Sequence, residues 1–130
     1  MSNALLANDP EANADAVFLA SAARTTTQTQ GDQTNDYRTG IRVVIDITSA
    51  GTGSITVSID AKDPASGKYV PILATAALTT NQTKTMLVYP GAAAVANGSV
   101  NDRLPKTWRI LVTANNANAM TYSVGTQLLA

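Results

Sequence analysis

From Gly40 onward, apolar and polar residues alternate with a period of two. In GIRVVIDITSA, Ile41, Val43, Ile45 and Ile47 fall on one side, and Arg42, Asp46 and Thr48 on the other. In SITVSIDAK, Ile55, Val57 and Ile59 alternate with Ser54, Thr56, Ser58 and Asp60. This is the pattern of strands with one buried and one wet face. Gly51 and Gly53 lie between the two runs and predict a hairpin turn joining them. Further strands are predicted over residues 68–78, 83–90, 107–115 and 120–129. Turn signals separate them at Asn81-Gln82, Pro90-Gly91, Asn97-Gly98 and Asn115-Asn116. A Thr-rich stretch at residues 21–29 adds an edge strand, followed by a polar loop over residues 30–39. About seven strands at this spacing predict an all-β fold: an antiparallel β-sandwich, jelly-roll-like in character.

The first twenty residues read differently. They are small, polar and acidic, and they do not alternate. They are predicted to be an extended N-terminal arm over residues 1–20, leaving residues 21–130 as a single sandwich domain. Within the arm, Asn8-Asp9-Pro10 offers a cap and a first-turn proline for a short helix over residues 12–19. The arm is expected to pack on a neighbouring subunit.

Composition narrows the chemistry. The 130 residues include no Cys and no His, and the single Glu is Glu11. Without His the usual general base, the Ser-His relay and the commonest transition-metal ligand are missing. Without Cys there is no disulfide, thiolate metal site or thiol nucleophile. The chain is therefore expected not to be an enzyme and to use no cofactor or metal. Nine basic residues balance nine acidic ones, and only 14% of residues are charged. The basic residues are scattered, so no electrostatic footprint for nucleic acid is formed. No apolar run approaches the ~20 residues of a membrane helix. Asp9, Glu11 and Asp15 precede AVFLASAA, where a secretory signal would carry positive charge, so no signal peptide is expected. A surface poor in charge meets another protein surface at low desolvation cost.

The motifs that might carry chemistry read better as structure. KDPASGKY, residues 62–69, ends like a phosphate-binding loop. The first glycine of that motif is replaced by Lys62, its hydroxyl residue by Tyr69, and its helix by a strand. Pro64 and Gly67 instead predict a tight hairpin turn with solvated flanking lysines. GDQTND, residues 31–36, gathers Asp32, Asn35 and Asp36, but it lacks the spacing and bidentate Glu of an EF-hand and is predicted to be a loop with Asx turns. Asp60 and Asp63 are expected to be solvated carboxylates. Trp108, the only tryptophan, is expected to anchor the core; a sugar-stacking platform is the alternative.

Three stretches, ASGKYVPILATAALTT, VYPG and VNDRLPKTWRILVTANNANAMTYSVGTQLL, together resemble a family of small tailed-bacteriophage virion structural proteins. The N-terminal LASAARTTTQT and DQTN fit the same pattern, so the resemblance runs over roughly residues 19–129. It implies a β-domain without enzymatic activity in the virion, assembled in the host cytoplasm. The head is the expected location, as a capsid decoration or cement protein bound to the major capsid protein and to other copies of itself, as a dimer or trimer. A tail or baseplate component and a carbohydrate-binding, adhesin-like module are the alternatives. The family brings no functional residues with it. The expected partner contacts follow from the arm and the Thr-rich edge: Asn3, Leu5, Leu6, Val17, Phe18, Arg24, Thr25 and Thr27. Neither nucleic acid nor membrane is expected as a partner.

Overall fold

The computed structural model describes residues 12–130. They form an all-β sandwich of two sheets with no helix. The strands are β1 (Ala14–Arg24), β2 (Gln28–Thr29), β3 (Gln33–Thr34), β4 (Gly40–Ser49), β5 (Ile55–Lys62), β6 (Tyr69–Ala74), β7 (Gln82–Val88), β8 (Ser99–Val100), β9 (Thr107–Ala114) and β10 (Met120–Leu129). The first sheet has the order β1-β10-β4-β7-β8 and the second the order β2-β9-β5-β6, with β3 also paired to β9. All pairings are antiparallel except β7 with β8.

The alternation along each strand places one face in the core. Ile41, Val43 and Ile45 on β4 and Met120, Tyr122 and Val124 on β10 bury against Val57 and Ile59 on β5 and Trp108, Ile110 and Val112 on β9. Each such side chain contributes roughly 1.5–3 kcal/mol when fully buried. Trp108, 4% exposed, belongs to this core, as its place in an alternating strand indicates.

Two expectations are corrected. The helix over residues 12–19 does not form, because Ala14–Arg24 is a strand paired along its length with β10. Residues 14–20 therefore belong to the sandwich and not to an arm. Bulges between Val17 and Leu19 and between Leu19 and Ala22 obscure the alternation here, so both Phe18 and Leu19 are buried. The remaining arm, residues 1–11, lies outside the described residues.

The hairpin expected between β4 and β5 is not one either. β4 lies in the first sheet and β5 in the second, so the connection arches across the core. Alternation specifies which side of a strand is buried, and two strands facing each other across a core carry the same signal as two neighbours in one sheet. The arch is held locally. Gly53 N–H donates to Ala50 O at 2.8 Å, the Asn81 side chain accepts from Ala50 N–H at 2.8 Å, and its amide donates to Thr48 O at 2.9 Å. The predicted edge strand at residues 21–29 is likewise divided. Its first part ends β1, its last part is β2, and Thr25 to Thr27 carry the chain from one sheet to the other.

Candidate interaction surface

The stretch resembling a phosphate loop is the β5–β6 hairpin. Asp63 N–H donates to Lys68 O at 2.7 Å, and Gly67, with φ of 74°, donates to Asp63 O at 2.8 Å. The Asp63 carboxylate accepts from the amides of Ala65 and Ser66 and from the Ser66 hydroxyl at 2.5 Å. These bonds, led by the one from the Ser66 side chain, hold its carboxyl below the ordinary value. Asp63 is thus the keystone of a turn.

Asp60 does not join it as a carboxylate pair. It departs from its expected solvation: its side chain is 3% exposed, and Oδ2 accepts from Arg109 Nε at 2.9 Å. The Arg109 guanidinium also lies 3.5 Å from the centre of the Tyr69 ring. Tyr69 donates its hydroxyl proton to Asp32, and Asp32 accepts from Lys62 at 2.7 Å. Lys62 is therefore engaged, unlike the solvated flank expected of it. The bond from Lys62, then that from Tyr69, holds the Asp32 carboxyl below its ordinary value. The same bonds raise the Lys62 ammonium and the Tyr69 phenol. This network ties β5, β6 and β9 to the loop before β3.

The acidic loop at residues 31–36 has the Asx-turn character expected of it. Asn35 accepts from Arg38 N–H at 2.9 Å and donates to Arg38 O and Leu104 O, while Asp36 faces Lys106 at 3.4 Å. Asp32 and Asp36 thus have separate cationic partners. Among the described residues no group of three or more acidic side chains converges as metal ligands would.

The residues expected to meet a partner separate into distinct roles. Asn3, Leu5 and Leu6 lie outside the described residues. Val17 is 76% exposed on the outermost strand of the first sheet. Phe18 is buried, and its carbonyl accepts from Gln30 Nε2 at 2.9 Å. Arg24 lies 4.9 Å from the centre of the Tyr122 ring and donates to Tyr122 O at 2.7 Å and to Ala20 O. Thr25 is exposed in the crossover, and the Thr27 hydroxyl accepts from Ala114 N–H at 3.1 Å. Val17 and Thr25 are therefore presented to solvent, whereas Phe18 and Arg24 serve the fold.

Strand register brings Val17 into a surface that the sequence did not single out. Val17 pairs with Gly125, Gly125 with Val44, and Val44 with Thr85, so these four residues form one row on the outer face of the first sheet. Gly125 sits inside a central strand, where glycine is unfavourable. A Cβ built there meets only Ala16 O, at 4.0 Å, so nothing within the chain demands glycine. Its missing side chain leaves a dip between two valines. The neighbouring positions are mostly neutral or already bonded: Arg42 donates to Gln127 at 3.1 Å, and Asp46 accepts from Thr83 at 3.1 Å.

A groove of about 440 Å³ opens between the two sheets at the edge formed by β1 and the β2–β3 segment. A second hollow, lined by Asn13, Arg42, Leu87, Tyr89 and Leu129, lies on the outer face of the first sheet at its end. A scan against protein-family models finds no match for this chain, and a search of curated proteins finds none either.

Proposed function

We propose that this chain is a non-enzymatic virion structural protein of a tailed bacteriophage, a decoration protein that binds the outer surface of the head and stabilises the shell. The observation that carries this reading is the Val17–Gly125–Val44 row. It is an apolar strip with a dip at its centre, set in a sheet face of low charge density whose flanking charged residues are Asp15, Arg42 and Asp46. Glycine with no internal steric role marks a place where another backbone can come close. A low-charge face meets a protein partner without a large desolvation cost. Copies arrayed on an icosahedral lattice gain from avidity, so each contact can be weak. Clustering about a local symmetry axis makes dimers or trimers the natural assemblies.

The test is attachment to purified heads that lack this protein, read by co-sedimentation. Val17→Asp changes an exposed position and Gly125→Lys a half-buried one with room for a side chain, so each variant is expected to fold and to lose attachment. Wild-type binding by both variants would remove this face from the account, and failure of the wild-type chain to bind would remove the function.

A further inference from the structure

Among the described residues, four large hydrophobic side chains stand exposed: Val17, Tyr37, Val70 and Val95. Val17 belongs to the row on the first sheet. Val70 and Val95, 56% and 57% exposed, share the opposite edge of the sandwich. β8 ends the first sheet and β6 ends the second, and the two strands lie in contact there. Val70 is on β6, and Val95 is bridged to Ser99 at the start of β8. These two segments bring almost no charge. Between Lys68 and Asp102 the only charged side chain is Lys84, on β7.

The loop between β7 and β8 is built to hold Val95 outward. Val95 N–H donates to Ser99 O at 3.1 Å, and Val95 O accepts from the amides of Gly98 and Ser99, each at 3.0 Å. The Ser99 hydroxyl donates to Ala93 O at 2.5 Å, and Gly91 N–H donates to Asn101 Oδ1 at 2.7 Å. Asn97 takes a left-handed φ of 62°, uncommon outside glycine. The loop is thus tied to itself and to its own stem, with Ala93, Ala94, Val95 and Ala96 exposed. A contiguous exposed apolar surface marks an interaction site, and a loop already fixed in shape loses little freedom on binding.

Charge and symmetry select the occupant. In a two-fold contact the residues at the axis face their own copies, so any charge there would face its like. Residues 91–98, GAAAVANG, bring none. This edge also lies across the first sheet from β1. A two-fold axis through it, normal to that sheet, turns the outer faces of both copies the same way and leaves both Val17 rows open. We propose that residues 91–98, flanked by Val70, form a two-fold contact between copies of this chain, with Val95 beside its own counterpart. The proposal rests on the assembly reading and deepens it by naming the contact between copies. It can fail while attachment to the head survives.

The lack of Cys makes the contact directly testable, because a single introduced thiol can form a disulfide only with another chain. The full-length Val95→Cys variant is expected to cross-link into dimers on mild oxidation. Ala117→Cys, an exposed position in the β9–β10 turn at the other end of the strands, is expected to remain largely uncross-linked. In sedimentation the wild-type mass should double as concentration rises, while Val95→Asp should stay at the single-chain mass and still attach to heads. Cross-linking of Val95→Cys no faster than that of Ala117→Cys, or a wild-type chain that keeps the single-chain mass at every concentration, would overturn the contact. Loss of head attachment by Val95→Asp, without cross-linking of Val95→Cys, would assign the loop to the shell protein and overturn it equally.

Discussion

At the residue scale, the buried polar groups set the sharpest expectations. Asp60 and Arg109 form an ion pair whose carboxylate is almost fully enclosed. Removing one partner of such a pair leaves an uncompensated charge, so Arg109→Ala should destabilise by about 3–5 kcal/mol in denaturant unfolding. Replacing both partners with apolar residues of similar size should recover much of that loss. Tyr122 presents the opposite case. Its hydroxyl is buried with no partner, and burial raises its phenol above the ordinary value. Tyr122→Phe deletes only that unpaired group and should be neutral or stabilising by about 1 kcal/mol. A large loss of stability would mean that the hydroxyl has a partner. Gly40 is restricted by space: a Cβ there would stand 2.1 Å from Val88 O, which is backbone. Gly40→Ala should cost about 1–3 kcal/mol through displacement of β4 from β7, measured by the same unfolding curves.

At the element scale, the strands were mostly legible and, apart from the β5–β6 hairpin, their partners were not. β4, β5, β9 and β10 announce themselves because every second residue is large and apolar. The KDPASGKY turn was readable because Pro64 and Gly67 restrict the backbone within a few residues. The arch from β4 to β5 was hidden because alternation records burial and not neighbours. β1 was mistaken for a helical arm because its small residues, acidic start and two bulges erase the period-two signal. The proposed interaction face was only partly visible: Val17 stood out as a candidate contact, but its row with Gly125 and Val44 needs residues from three strands in register. Trp108 was legible as core, while its unpaired N–H was not, because a lack of acceptors is a property of the packed interior.

At the scale of the whole molecule, the absence of His leaves few groups to titrate near neutrality. Asp32 and Asp63 have folded values below the ordinary 3.8, so their contribution is present above that value and is lost as pH falls through the lower, folded one. Lys62, Tyr69 and Tyr122 have raised values. Their contribution is complete below the ordinary 10.5 for the lysine and 10.0 for the tyrosines, and it disappears as pH rises through the folded ones. Stability should therefore be nearly flat from about pH 5 to 9 and fall at both extremes, as thermal unfolding across that range would register. A steep change near pH 6–7 would contradict this.

Such a broad plateau suits the proposed role of staying folded against neighbouring subunits, and the most direct check of that proposal is to image the intact particle and find this subunit in it. The account predicts a sandwich on the outer head surface, repeated with the capsid lattice, with the Val17–Gly125–Val44 face against the shell. Its absence from the particle, or its presence only in the tail, would contradict the account.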